Sequence, residues 1–69
     1  MTQVQLLDLV RVSPFRPFEI HMDNGMIVRV VHPDCVYITP RGNTVVVAEG
    51  EHLRILGMDH ISEFKCENK

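Results

Sequence analysis

"PFRPFEIHMDNGMIVRVVHPD", residues 14–34, decides the fold, because one register of the hairpin it encodes keeps charge out of the core and the other does not. Were Asn24-Gly25 a two-residue turn, Arg29 would share a face with Phe18, Ile20 and Met22. A three-residue loop, Asp23-Asn24-Gly25, built as a type I turn with Gly25 in the left-handed conformation, removes that conflict. Met22 then opposes Met26, Ile20 opposes Val28 and Phe18 opposes Val30, so the inner face is wholly apolar. On the other face His21 lies against Ile27, and Glu19 stands opposite Arg29, a cross-strand charge pair worth a few tenths of a kcal/mol up to about 1.

Upstream, Thr2 and Gln5 have the spacing of a capping box, which predicts a helix from about Gln3 to Arg11 or Val12. Pro14 stops it and biases Ser13 away from helical geometry. Gln5, Asp8 and Arg11 form one narrow polar stripe. Val4, Leu6, Leu7, Leu9 and Val10 cover a wider apolar arc than a small sheet buries by itself. Two arrangements satisfy that arc: the helix lies across an open barrel end, which we favour, or part of it packs on another subunit.

Downstream, "CVYIT" and "TVVVA" flank the turn "PRGN", in which Pro40 presets its backbone angle and Gly42 or Asn43 accepts a positive one. Val36, Ile38, Val45 and Val47 face the core together, with Tyr37, Thr39, Thr44 and Val46 outward. A four-residue loop fits this best, with three as the alternative. "EGE" makes the next turn, and in "HLRIL" alternation places Leu53 and Ile55 inward and His52 and Arg54 outward. A one-turn break over Gly57 to His60 leads to a last strand around Ile61 to Cys66. The expectation is a single domain over 1–69: a helix at about 3–12, then a five-stranded antiparallel meander at about 17–66. Such a sheet avoids exposed edges by curling into a small barrel.

Composition narrows the function classes. A 69-residue chain buries only about 60% of the surface its unfolded form exposes, which favours a shallow surface site or an oligomeric interface over a deep active site. Seven Lys and Arg against nine Asp and Glu give a net charge of -2, with the arginines spread singly, so the concentrated positive field of a general nucleic-acid binder is missing. Folding or oligomerisation is the one route by which scattered arginines gather. The start "MTQVQLLDLVRV" has no basic leader, and no apolar run approaches the ~20 residues of a membrane span, so the chain reads as cytoplasmic. In that reducing setting Cys35 and Cys66, which lack CxxC spacing, are expected as free thiols.

The order of helix and strands is similar to Sm-like and SH3-like small barrels. "PFRPFEIHMDNG" with "VVHPD", "TPRGNTVVV" and "ILGMDHISEF" resembles a group of short, uncharacterised bacterial proteins with a PFRPF-x-I-H-x-x-DG core and a downstream HP-[DE] step. Here Asn24 intervenes between the Asp and Gly of that core, and the resemblance implies no activity. The RNA contacts of Sm-like proteins do not transfer either. The step before the last strand, Gly57-Met58-Asp59-His60-Ile61, has no Arg-Gly, and the Tyr-Lys-His signature of the bacterial RNA-chaperone branch is missing.

Individual residues invite sharper readings. His32, Asp34 and Cys35 in "HPDC" raise a metal site, but a structural zinc wants four soft ligands in recognisable pairs. His32 instead reads as a strand end whose ring bonds the following turn. Ser13 and Ser62 lie in no nucleophile elbow, and no Gly-rich phosphate loop occurs. Asp34 beside His32, or Asp59 beside His60, forms an acid/base pair only if the fold makes a pocket around it, and residues adjacent on a strand usually point to opposite faces. An enzyme is the class the sequence supports least, and no catalytic, metal or cofactor residue is assigned. The candidate binding residues are Arg16, His21, Arg29, His32, Tyr37, Arg41 and Arg54. Two classes fit them: a protein-interaction or assembly module, associating with itself or another protein, and an oligomeric accessory or regulatory nucleic-acid binder. Net negative charge and one Tyr with three Phe, mostly committed to packing, leave few base-stacking platforms and favour the first.

Overall fold

The computed structural model describes residues 3–67. Helix α1 spans Gln3–Arg11, as the apolar spacing and Pro14 predict; Thr2, half of the expected capping box, lies outside the described residues. Leu6 is fully buried, with Leu9 and Val10 packed against the core, while the stripe of Gln5, Asp8 and Arg11 faces solvent. The helix arc is therefore only partly used. Val4 remains exposed.

Six strands follow: β1 Phe18–Met22, β2 Ile27–Val30, β3 Val36–Ile38, β4 Thr44–Glu49, β5 His52–Gly57 and β6 Ile61–Cys66. They form two three-stranded antiparallel sheets, ordered β2-β1-β6 and β3-β4-β5. The expectation of five strands undercounts by one. One-turn 3-10 segments at Pro33–Cys35 and Met58–His60 separate β2 from β3 and β5 from β6, and each carries the chain from one sheet to the other.

The first hairpin has the register its charge pattern demands. Phe18 pairs with Val30, Glu19 with Arg29, Ile20 with Val28 and His21 with Ile27. Gly25 has φ +92°, and its N–H donates to the Met22 carbonyl at 3.0 Å, closing the three-residue loop. Phe18, Ile20, Met22, Val28 and Val30 are buried, while Met26, at the hairpin's tip, stays exposed. The second hairpin also follows pattern, with Val36 against Val47 and Ile38 against Val45. Thr39 N–H donates to the Thr44 carbonyl at 3.0 Å, so Pro40 to Asn43 form a four-residue loop.

Strand β5 departs from expectation. Leu53 and Ile55 point outward, and it is Leu56 that enters the core. Turn geometry sets this phase: Gly50, at φ +61°, is the first residue of a two-residue turn that pairs Glu49 with His52. A positive φ at that position is what a type II′ hairpin turn requires. With Val45 and Val47 inward on β4, their partners Leu56 and Arg54 must take the same side.

The core is Leu6, Phe18, Ile20, Val28, Val30, Val45 and Val47, all without exposed surface, closed by Met22, Leu56, Met58 and Ile61. Phe18 anchors it, with the Phe64 ring edge-on at 6.3 Å and the Phe15 ring tilted at 6.1 Å. Phe15 thus ties the segment after α1 to the sheets. Among the described residues no helix is long and apolar enough to cross a membrane.

Candidate functional site

The two sheets present opposite chemistry to solvent. On the first, the outward row Arg29-Glu19-Lys65 crosses all three strands, and the next row is Ile27-His21-Glu63. Its side chains are tied to one another. His21 Nε2 lies 2.9 Å from Glu19 Oε1, and Arg29 Nε donates to Glu67. The expected Glu19–Arg29 pairing is thus right in register, but the guanidinium bonds the carboxylate beyond β6 and Glu19 turns to His21. The bond to Glu67, reinforced by that carboxylate's charge, raises the Arg29 pKa further above its usual range.

The second sheet's outward row is Tyr37-Val46-Ile55, and the next pairs Ala48 with Leu53. Tyr37 is 58% exposed, Leu53 66% and Ile55 69%. Thr44 flanks the row on β4, so the outward positions of all three strands carry no charge. Large apolar side chains this open are ordinary when scattered; aligned across a sheet they form a patch that marks an interaction site.

Glu49 joins the two sheets. Its Oε2 accepts from the backbone N–H of Arg29 on β2 at 3.0 Å, and its Oε1 accepts from Arg54 Nε on β5 at 3.0 Å. The backbone bond to Arg29, and then the bond to Arg54, lower the Glu49 pKa below the usual carboxylate range. Arg54 is therefore a half-buried partner of Glu49 on the inward side of β5, not an outer-face residue as its sequence alternation suggests.

The other predicted residues are dispersed. His32 Nδ1 accepts the Asp34 N–H at 3.1 Å and caps the 3-10 turn, the local role its place before Pro33 suggests. Arg16 borders a cleft of about 450 Å³ with Leu9, Val12, Pro14, Asp8 and Cys66, near the end of α1. Arg41 is exposed in the loop whose Gly42 packs against Gln3, at the start of α1. The helix length of roughly 13 Å separates the two ends. The fold thus places Tyr37 on the apolar face, sets Arg16 and Arg41 near opposite ends of α1, and ties the Arg29 and Arg54 side chains to the carboxylates of Glu67 and Glu49.

Two clefts border Cys66. The one at Arg16 holds Cys66, and a shallower one of about 400 Å³ is lined by Glu19, Lys65, Cys66 and Glu67. Cys35 and Cys66 are free, and among the described residues no three His, Cys, Asp or Glu side chains converge on a point that would hold a metal ion. His60 forms one more pair, its Nδ1 3.1 Å from Asp23 Oδ2, linking the β1–β2 loop to the turn before β6. That bond, with the Asp23 charge, raises the His60 pKa above the usual histidine range.

Sequence reasoning missed Leu53, Ile55 and Glu49. The signal for all three was "EGE": a two-residue Gly50-Glu51 turn forces the pairing that turns Leu53 and Ile55 out and brings Arg54 beside Glu49. Comparison with protein-family models, with curated proteins and with solved structures gives no match for this chain.

Proposed function

We propose that this protein is a non-enzymatic interaction or assembly module whose contact surface is the outer face of β3-β4-β5. One observation carries the reading: Tyr37, Val46 and Ile55 align across three strands on a face without charge, while the first sheet's outer face is crossed by charged rows. A folded domain gains nothing in water from holding Leu53 and Ile55 open, and burying them against a partner is worth about 25 cal/mol per Å² of apolar surface removed. A nucleic-acid interface needs pooled cations, and here Arg29 and Arg54 are engaged by Glu67 and Glu49.

The framework for this surface is a small barrel of Sm-like or SH3-like type, the architecture also expected of the short bacterial proteins with the PFRPF pattern. In this reading β2 and β3 are two arms of one strand bent at Pro33–Cys35, which restores a five-stranded count. The Glu49 bond to the Arg29 N–H supports it, since it draws β2 toward β4.

Site-specific photo-crosslinking in living cells tests the function. A photoreactive residue at Leu53 gives discrete crosslinked products, and one at Glu63 on the charged sheet gives none. Equal yields at the two positions would refute the assignment of this face.

A further inference from the structure

We propose that the free edge of β5 docks an extended segment of another protein, which joins the β3-β4-β5 sheet as a fourth strand through main-chain hydrogen bonds. The inference rests on the interaction reading above and adds the kind of partner and the way it is held. The two sheets have four edges, β2, β6, β3 and β5, and an open edge is a template for another chain unless charge, proline, a bulge or shortness blunts it. At β2 the Arg29 N–H is taken by the Glu49 carboxylate. Strand β3 has three residues and lies between Pro33 and Pro40. The register of β6 against β1 shifts between His21 and Met22, and β6 carries Glu63 and Lys65. Strand β5 has six residues, no proline and an unbroken register against β4.

The ladder fixes what that edge offers. Met58 N–H donates to the Asn43 carbonyl at 2.9 Å, one step beyond the Thr44–Gly57 pair, so the residues of β5 that bond β4 recur at every second position: Leu56, Arg54 and His52. The N–H and carbonyl groups of Leu53 and Ile55 point the other way, and among the described residues nothing bonds them. The side chains of the same two residues stand open on the outer face. Donors and acceptors alternating at strand spacing are met by an extended backbone, and the residues such a strand sets opposite Leu53 and Ile55 share their face and are apolar.

Arg54 decides against a second copy as the added strand. Antiparallel pairing of β5 with itself that keeps the outer faces together centres on Leu53, Arg54 or Ile55. Those three registers set Arg54 opposite His52, opposite Arg54 of the other copy, or opposite Leu56, and none of the three gives the guanidinium a favourable neighbour. An inward-pointing charge is itself a device by which natural edges resist pairing between copies. A foreign strand escapes that restriction by carrying a polar residue opposite Arg54. The occupant is therefore an extended segment of a different protein, reading apolar, polar and not basic, apolar opposite Leu53, Arg54 and Ile55.

An NMR titration of the full chain with a short acetylated peptide of alternating valine and threonine tests the proposal. Amide shifts should concentrate at Leu53 and Ile55, with a dissociation constant on the order of 0.1–1 mM. Methylating the valine nitrogens, which face β5 in this arrangement, should weaken binding at least ~10-fold, and methylating the threonine nitrogens, which face away, should leave it within about 2-fold. Ile55→Pro removes an outward N–H without breaking the ladder to β4, so the variant should keep its circular dichroism spectrum and lose the peptide. No shift at about 2 mM peptide, or equal binding by the two methylated peptides, overturns the edge; discrete crosslinks from Leu53 but not from Glu63 would then leave the interaction reading standing, and equal crosslinking would remove that reading as well. A chain that sediments as a dimer alone and as a monomer once Ile55→Pro is made overturns the foreign strand in favour of a second copy.

Discussion

Replacing Glu49 with alanine removes a side chain that accepts hydrogen bonds from both sheets. Bonds to a charged acceptor contribute about 1.5–3 kcal/mol when enclosed, but exposed ion pairs contribute only about 0–1. The Glu49 side chain is 29% exposed and that of Arg54 39%, so the ion pair belongs near the lower range and we assign it about 0.5 kcal/mol. The backbone N–H of Arg29 loses a charged acceptor at the sheet edge and regains water, at a cost of about 1 kcal/mol. Glu49→Ala should therefore destabilise by about 1–2 kcal/mol, or roughly 5–15 °C in Tm for a domain of this size. Arg54→Met, which removes the ion pair alone, should show only the smaller share. Urea and thermal melts followed by far-ultraviolet circular dichroism measure both. The pH dependence supplies a second check. Because folding lowers the Glu49 pKa, its contribution is present above the usual carboxylate range and is lost as pH falls through the depressed value. The gap between wild type and Glu49→Ala should close in acid. A cost below about 0.3 kcal/mol at neutral pH, or a gap that is unchanged in acid, would refute this role of Glu49 between the sheets.

Two further perturbations probe the local geometry. Gly25→Ala should cost about 1 kcal/mol in a urea melt; open space surrounds the added Cβ, so a larger loss would mean something other than the φ of +92° is being disturbed. In an NMR titration, His60 should lose its proton above the usual histidine range, and Asp23→Asn should bring that value down; no change would break the assigned pair. The link this pair provides is complete below the usual histidine range and is lost as pH rises through the raised His60 value.

The parts of the fold legible in the sequence are those where a burial conflict and a turn residue agree. Arg29 could not enter the core, Gly25 could take a positive φ, and together they fixed β1 against β2. Pro40 and Gly42 did the same for β3 against β4. The strand β5 failed this logic because "HLRILG" offers an apolar residue in either phase: Leu53 and Ile55 in one, Leu56 in the other. Alternation counts two against one and chooses the first. Pairing across Gly50-Glu51 chooses the second, since β4 has already committed Val45 and Val47 to the core. The split into two sheets was hidden for a related reason. Short 3-10 turns at Pro33–Cys35 and Met58–His60 read as local breaks, and the change of partner strand that they permit depends on contacts distant in sequence.

The misread strand and the proposed surface have the same origin. Choosing the phase that buries Leu56 puts Arg54 on the inward side of β5, an arrangement that costs desolvation unless the guanidinium finds a partner. Glu49, at the end of β4, is that partner, and its second oxygen reaches across to β2. The phase also turns Leu53 and Ile55 into water beside Tyr37 and Val46. A chain of 69 residues has little apolar surface to spare, and leaving three large side chains open forgoes burial that the opposite phase would have used for two of them. Natural strands tolerate such a loss when the exposed face is covered in the working assembly, which is why the residues that break the alternation rule are the ones assigned to the interface.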